Sequence, residues 1–199
     1  MSERDLSRYD AVWQAAEPYM RARKNDVHIP LSFAWCQRLL EHHPQADTDV
    51  CSLAILLHDI GWWAIDMGEI IEQGFRTENF LQSDVRYRHE QEGVHLAAPV
   101  LRETGWGEEV IAAVLEIIDG HDTRPEPRHL NDRIMRDADK LWRYEVTGIA
   151  VAADWFGITP HAYADQVERE LHRFETAQGR SMAEATLAET RRKLMLHVI

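Results

Sequence analysis

Apolar residues recur with helical spacing along nearly the whole chain, and no segment alternates convincingly between apolar and polar residues. A half-buried strand needs that alternation, so the pattern predicts an all-α fold. With 199 residues, of which 45% are apolar, the chain is long enough for one sizeable core and short for two. We therefore expect a single domain over residues 1–199.

The periodic segments give the order of the predicted helices. The first four cover about 6–22, a segment from 25, 50–58 and 84–102. The others cover 108–118, a segment from 131 whose continuation to 156 stays open, a segment from 160 and a last helix from 181. The polar pair at 25–26 is predicted to cap the second helix, and Gly61 is predicted to end the third in the left-handed conformation. Ser181 and Glu184 have capping-box spacing, and Pro160 suits a first helical position.

Residues 62–82 mix aromatic, acidic and glycine residues without sustained periodicity. This composition predicts a partly helical lid or loop. Trp62 and Trp63 lie at its start and would be able to stack on a base, although large aromatic residues after a helix more often pack in the core.

The charge balance narrows the choice of partners. The formal net charge is −12, and no run of basic residues forms a stripe for nucleic acid or a membrane surface. The first residues lack the apolar core of a signal peptide, and no segment approaches the length of a bilayer span. We expect a cytoplasmic protein with reduced cysteines that binds neither membranes nor nucleic acid non-specifically; an oligomer stays open.

The segment LAILLHDIGWW, residues 53–63, ends an apolar helix in His58 and Asp59. Burying both side chains costs free energy unless each is paired or bound to a metal ion. Neighbouring helical side chains diverge by about 100°, so a shared role needs a helix end or a centre that is reached from two directions. For an isolated pair, a satisfied core histidine beside a solvent-facing aspartate is the commoner explanation.

Further histidines and an aspartate make this pair part of a dispersed set. The order is His28, His58-Asp59, His89, His121 and Asp139, on consecutive predicted helices. This set resembles the HD-domain superfamily of metal-dependent phosphohydrolases. The segments LAILLHDIG, RHEQEGVHLAAPVL and IMRDADKLW are similar to characteristic segments of that family. The resemblance covers roughly residues 20–150 and implies an HD-domain helical bundle with the metal site in its core, on which the helices of 160–199 would pack.

The resemblance implies that His28, His58, Asp59 and Asp139 bind a first metal ion. His89 and His121 match the additional histidines of members with two ions, in which the aspartate of the pair bridges. Imidazole and carboxylate ligands suit Mn, Fe, Co, Ni or Zn, and we expect two ions per chain.

For some ligand positions the sequence offers alternative residues. Asp137 precedes Asp139 in the DAD segment, and Asp139 is chosen because ADKL matches the family's ADxL pattern; Asp137 is then expected at the surface or holding a histidine. His95 is six positions from His89 and is expected to be structural. The residues His129 and Asp122 are alternatives to His121.

The predicted activity is hydrolysis of a small phosphorylated metabolite or nucleotide through metal-activated water. Asp59 and Lys140 are the predicted catalytic residues, and Arg86, Arg88 and Lys140 are predicted to bind substrate phosphate.

Trp62 replaces the lysine that follows HDIG in cyclic-dinucleotide phosphodiesterases, and no acidic residues directly follow the segment as they do in hydrolases of guanosine tetraphosphate. Two alternatives stay open: an HD-fold diiron oxygenase, and a non-catalytic metal-binding or ligand-binding domain.

Overall fold

The computed structural model describes residues 5–70, 72 and 83–196, and within them the chain forms α-helices and 3-10 turns without a β-strand. The all-α prediction is confirmed. In chain order the α-helices are α1 (Asp10–Ala16), α2 (Asn25–His42), α3 (Thr48–Leu57), α4 (Met67–Glu69), α5 (Asp84–Glu103), α6 (Glu108–Ile118), α7 (Leu130–Leu141), α8 (Val146–Phe156), α9 (Pro160–Arg169) and α10 (Ala177–Leu196).

Helix α3 lies at the centre of the structure. Its residues from Val50 to Leu57 are all buried, and it packs against α2, α6 and α7. The Asp47 carboxylate caps it by accepting hydrogen bonds from Asp49 N and Val50 N, both at 3.0 Å. A helix buried on all sides is stabilised by tertiary packing, so its C-terminal end is held firmly inside the core.

The other helices surround this centre. Helix α2 packs against α3 and α7, and α5 packs against α6 and the 3-10 turn Ile60–Ala64. Helices α8, α9 and α10 pack against the 3-10 turn Trp142–Tyr144, which follows α7. No helix in the described part of the chain combines the length and apolar character that a bilayer crossing requires. Of the predicted lid, only 62–70 and 72 belong to the described residues, and the rest lies outside them.

The first predicted helix is not continuous. Helix α1 covers only Asp10–Ala16, and 3-10 turns flank it at Ser7–Tyr9, Glu17–Tyr19 and Ala22–Lys24. Pro18 lies in the second turn and lacks the N–H that an α-helix would need to continue. The single helix over 6–22 was therefore wrong.

The structure defines one helix boundary that the sequence left open, and a second boundary differs from the prediction. Helix α7 ends at Leu141, and α8 is separate because the chain folds back: a Cβ on Gly148 would lie 1.9 Å from the Trp142 carbonyl oxygen. The last helix begins at Ala177 rather than 181, since Thr176 Oγ1 accepts a hydrogen bond from Gly179 N at 2.9 Å and provides the cap. The predicted start of α9 is confirmed, with Thr159 Oγ1 accepting from Ala162 N.

Candidate metal centre

Six side chains singled out by the sequence converge where α3 ends. They come from α2, from the two residues after α3, from α5, from the third residue after the end of α6, and from α7. Each has at most 8% of its surface exposed. The set consists of His28, His58, Asp59, His89, His121 and Asp139.

A glycine turn places His121 in this set. Helix α6 ends at Ile118, and Gly120 has a φ of +95°, which residues with a Cβ rarely adopt. The turn directs the His121 ring back toward the helix end, and its Nδ1 lies 2.9 Å from the Ile118 carbonyl oxygen.

The first cluster contains His28, His58, Asp59 and Asp139. His28 Nε2 lies 3.0 Å from His58 Nε2 and 3.5 Å from Asp59 Oδ2. Asp139 Oδ1 is 3.2 Å from His28 Nε2 and 3.4 Å from His58 Nε2. His58 Nε2 lies 3.7 Å from Asp59 Oδ2, so an oxygen of each carboxylate lies within 3.7 Å of both histidine nitrogens.

The second cluster lies on the other side of Asp59. His89 Nε2 and His121 Nε2 are 3.3 Å apart, and each is 3.6 Å from Asp59 Oδ1. Because Oδ2 faces the first cluster and Oδ1 the second, Asp59 contributes one oxygen to each. His28, His58 and Asp59 of the first cluster, and Asp59, His89 and His121 of the second, bring together ligand atoms that could hold a metal ion.

The hydrogen bonds of the histidines suit metal binding. The Nδ1 atoms of His58 and His121 each lie 2.9 Å from a backbone carbonyl oxygen, at Ile55 and Ile118. A carbonyl only accepts, so each Nδ1 carries the proton and donates, which leaves the Nε2 of the neutral imidazole with a lone pair that faces the cluster. This is the arrangement that metal-binding histidines adopt. Nitrogen and carboxylate ligands without thiolates suit divalent transition metals.

The electrostatics of the centre favour added positive charge. Burial opposes an imidazolium, but the surrounding carboxylates, Asp59 foremost, raise the pKa of His121 to about 10. A metal ion bound to the His121 Nε2 would therefore take the place of a proton, and only then would His121 be the neutral imidazole. Burial also opposes ionisation of Asp139, yet Arg143 and the neighbouring imidazoles hold the pKa of that carboxyl well below its usual range. At His28, burial lowers the pKa and so favours the neutral imidazole that binds metal.

Comparison with known families agrees with this geometry. The sequence model of the HD domain matches residues 28–144, a segment that contains all six side chains. The chain belongs to the HD-domain family. The resemblance seen in the sequence is thereby confirmed.

A solved structure has the same fold. It is the crystal structure of a predicted HD superfamily hydrolase from an uncultured Thermotogales bacterium, with a TM-score of 0.62 and 18% sequence identity. The alignment covers 94% of this chain and 89% of that one. No curated protein matches the sequence. At this identity the likeness shows the fold and not the substrate.

Two side chains that the sequence did not assign hold Asp59 of this HD domain in place. Trp62 Nε1 donates a hydrogen bond of 2.9 Å to Asp59 Oδ1, and the indole stacks on the His89 ring at a centroid distance of 4.1 Å. Asn25 Nδ2 donates to the Asp59 carbonyl oxygen at 3.0 Å. The fully buried Trp62 is therefore part of the core, whereas Trp63 is half exposed.

Asn25 does not cap α2 as predicted. It is the first residue of the helix, the preceding Lys24 has a left-handed φ of 57°, and no side chain caps the end. Its amide turns inward because Asp59 needs a donor at its buried carbonyl.

Close backbone contact explains Gly61. Its φ is not positive, so the predicted left-handed end of α3 is wrong, and the chain continues as the 3-10 turn Ile60–Ala64. A Cβ on Gly61 would lie 2.0 Å from His89 O and 2.3 Å from Gly93 N. Only glycine allows the segment after α3 to pack this closely against α5, which brings Asp59 to His89.

The two aspartates of the DAD segment have different tasks. Asp139 faces the first cluster, whereas Asp137 is buried and accepts hydrogen bonds of 2.7–2.9 Å from Glu175 N, Thr176 N and Thr176 Oγ1. Asp137 therefore anchors the segment before α10. It neither lies at the surface nor holds a histidine as expected, because the chain from Phe174 to Thr176 covers it.

Of the alternative ligand residues, His95 and His129 make other contacts, and Asp122 lies near the second cluster. The His95 side chain is 74% exposed and pairs with Glu92, and His129 caps α7 by accepting from Asp132 N at 3.3 Å. Asp122 is closer, since its Oδ2 lies 3.9 Å from His89 Nε2.

A buried glutamate fixes the loop that carries Asp122. Glu90 Oε1 accepts hydrogen bonds from Asp122 N at 2.8 Å and Thr123 N at 2.9 Å, and Oε2 accepts from Thr123 Oγ1. The loop beside the second cluster is thus tied to α5, the same helix that carries His89.

A cavity of ≈ 380 Å³ opens beside the clusters and reaches both His121 and Asp139. Arg86 and Lys140 line it: Arg86 donates to the Asp122 carbonyl oxygen, and Lys140 Nζ donates to the Arg173 carbonyl oxygen at 2.8 Å. Arg88 pairs with Glu69 and is not one of the described residues that line the cavity.

Arg143 is a cavity residue that sequence reasoning missed. It follows Asp139 by four positions, the helical spacing at which two side chains are neighbours, and this spacing was the available signal. Its guanidinium lies in the cavity wall, with Nη2 3.8 Å from Asp139 Oδ2.

Proposed function

We propose that this HD domain is a metal-dependent phosphohydrolase that acts on a small phosphorylated metabolite or nucleotide. The observation that carries the proposal is the pair of buried histidine-carboxylate clusters that share Asp59 and adjoin a cavity lined by cationic side chains. Hydrolysis of a phosphate ester needs an activated water molecule and positive charge around the phosphoryl group, and such a site offers ligands for the first and side chains for the second.

Two divalent ions would be held by the clusters. His28, His58, Asp59 and Asp139 would bind one ion, and Asp59, His89 and His121 would bind the other, with Mn, Fe, Co, Ni and Zn as the candidates. When bound, such ions make water a nucleophile at neutral pH and neutralise charge on a phosphoryl group.

The other residues position these ligands and bind the substrate. Trp62 and Asn25 orient Asp59, on which both clusters depend. Arg86 and Lys140 line the cavity, where their positive charge would stabilise the negative charge that develops on the phosphoryl group. Arg88 is left out of this role because it pairs with Glu69 outside the described cavity wall.

Oxygenation by a diiron centre is the second candidate, since the same six ligands would serve it. The two reactions differ in their need for dioxygen. We therefore propose metal analysis of protein purified without chelators, followed by a panel of phosphate monoesters and diesters assayed under air and under nitrogen. Asp59→Ala is the matched inactive control.

Hydrolysis at equal rates under both atmospheres, lost on chelation and restored by a divalent metal, is the expected result. Turnover under air alone would replace hydrolysis by oxygenation. Tightly held metal without turnover of any substrate would favour a non-catalytic metal-binding domain.

A further inference from the structure

Cationic side chains are concentrated around the cavity of a chain whose net charge is −12. Of its 22 lysines and arginines, six contribute to the cavity wall beside the metal centre. They are Arg86, Arg124, Arg136, Lys140, Arg143 and Arg173. The wall also carries five carboxylates, those of Asp122, Glu126, Asp139, Glu170 and Glu175, so its cations exceed its carboxylates by one, whereas in the whole chain carboxylates exceed cations by twelve. A wall with this balance, beside a centre that would itself hold cations, indicates an anionic ligand.

Several of these cationic side chains already form hydrogen bonds within the protein. Arg136 donates to Asp132 Oδ1 at 2.8 Å and to Gly120 O at 2.9 Å, and Arg124 donates to Asp132 Oδ2 at 3.0 Å. Lys140 donates to Arg173 O at 2.8 Å. These bonds fix loops and the segment before α10, so the groups that make them have fewer donors for a ligand.

Arg143 differs from these residues. Its ion-pair contact with Asp139 Oδ2 measures 3.8 Å, which is too long for a direct hydrogen bond. Its Nε is buried and has no hydrogen-bond partner within the described residues. A guanidinium has five N–H donors, and a third of the Arg143 side chain remains exposed in the cavity. Arg143 therefore holds donors beside the metal ligands and toward the cavity.

We propose that Arg143 is a substrate-binding residue that donates to a non-bridging phosphate oxygen, and that the substrate is a phosphate monoester. The inference rests on the proposed function. Three electropositive positions remain for direct contact with phosphate oxygens beside Asp139: the two clusters once they hold cations, and Arg143. Arg86 and Lys140 are not counted, because each already donates to a backbone carbonyl oxygen and would act through its charge. A monoester has three non-bridging oxygens to match them, whereas a diester has two. Guanidinium groups bind phosphate with forked, charge-assisted hydrogen bonds.

The size of the cavity agrees with a compact monoester. A volume of ≈ 380 Å³ lies near the lower end of the range of roughly 300–1,000 Å³ that small-molecule sites occupy. Tyr144, Val167 and Phe174 supply an apolar part of the wall that would contact the leaving group.

The test uses inorganic phosphate as the probe. Isothermal titration calorimetry would measure its binding to the metal-loaded wild type, to Arg143→Gln and to Arg128→Gln, with metal content measured on each. Arg128 is a matched control, because its guanidinium is half exposed, pairs with Glu116 and lies outside the cavity. We expect phosphate affinity to fall about 10- to 100-fold in Arg143→Gln at unchanged metal content, and to stay unchanged in the control.

Unchanged phosphate affinity in metal-loaded Arg143→Gln would overturn the proposal, as would a wild type that does not bind phosphate. If Arg143→Gln loses metal, phosphate binding to Arg143→Lys tests the proposal instead. The lysine keeps a positive charge beside Asp139 but lacks the forked donors of a guanidinium. A lysine variant with full metal and weakened phosphate binding supports the proposal. A lysine variant with full metal and wild-type affinity contradicts it.

The substrate class is tested with p-nitrophenyl phosphate and bis(p-nitrophenyl) phosphate. We expect the wild type to prefer the monoester and Arg143→Gln to lose more kcat/KM on the monoester than on the diester. A preference for the diester would overturn the assignment to monoesters. If phosphate binding depends on Arg143 but neither ester is hydrolysed, the anion site is supported and the proposed phosphohydrolase function is refuted. Failure of the Arg143 proposal is therefore distinguishable from failure of the proposed function.

Discussion

Replacing Gly61 by alanine should damage both stability and metal binding, because two backbones meet at this residue. A Cβ there would lie 2.0 Å from His89 O, and contacts below 3.0 Å require movement, so the segment after α3 must move from α5 by about 1 Å. The obstacle is backbone, which no rotamer change relieves. Such overpacking costs about 1–3 kcal/mol. For a chain of this size that corresponds to a Tm lower by roughly 2–12 °C.

The same movement separates two of the proposed metal ligands. Asp59 lies on the displaced segment and His89 on α5, with Oδ1 and Nε2 now 3.6 Å apart. Ligand distances in metal sites vary by only about 0.2 Å, so a displacement of about 1 Å should empty the second site. Elemental analysis and thermal unfolding monitored by circular dichroism would measure the two effects.

Gly107→Ala is the control for this substitution. A Cβ at Gly107 would have no atom of the described residues within 4 Å, and the Gly107 φ of −73° suits alanine. Glycine is preferred over alanine at an N-cap, so Gly107→Ala should lower the free energy of unfolding by less than about 1 kcal/mol. The variant should keep its metal. If Gly61→Ala matches Gly107→Ala in both Tm and metal content, close packing of the 3-10 turn on α5 does not position Asp59.

Three further predictions concern individual side chains. His58→Ala and Asp59→Ala should each abolish activity and lower metal content while helical circular dichroism persists; full metal occupancy in both would contradict their assignment as ligands. Asp139→Asn should lose metal, whereas Asp137→Asn should keep most of it and unfold at lower temperature, since its carboxylate anchors the segment before α10; the reverse pattern of metal loss would exchange their roles. Trp62→Phe should weaken metal binding about 10- to 100-fold by removing the donor to Asp59, and an unchanged dissociation constant would show that this hydrogen bond is dispensable.

The helical class and the positions of α5 and α6 followed from the sequence, because apolar periodicity reports which face of a helix is buried. Breaks within a helical stretch were harder to predict. Pro18 was an available signal, whereas the separation of α7 from α8 depends on a backbone contact between Gly148 and Trp142 that periodicity does not encode.

The six residues of the candidate metal centre were identifiable because family motifs mark them. The residues that support them were not, because their contacts join distant parts of the chain. Asn25 resembled a helix cap and Trp62 a lid residue, yet both donate to Asp59 across the core. Gly61 suggested a helix end, since a sequence does not distinguish a glycine needed for its φ from one needed for close packing.

The number of bound ions tests the dinuclear centre most directly. Elemental analysis of metal-loaded protein should give two ions per chain in the wild type and one in His121→Ala, because Asp59 Oδ2 and the first cluster remain after the second cluster loses a nitrogen ligand. The remaining ion should bind more weakly, since Asp59 no longer bridges. One ion per chain in both proteins would contradict the dinuclear centre and would also exclude the diiron oxygenase.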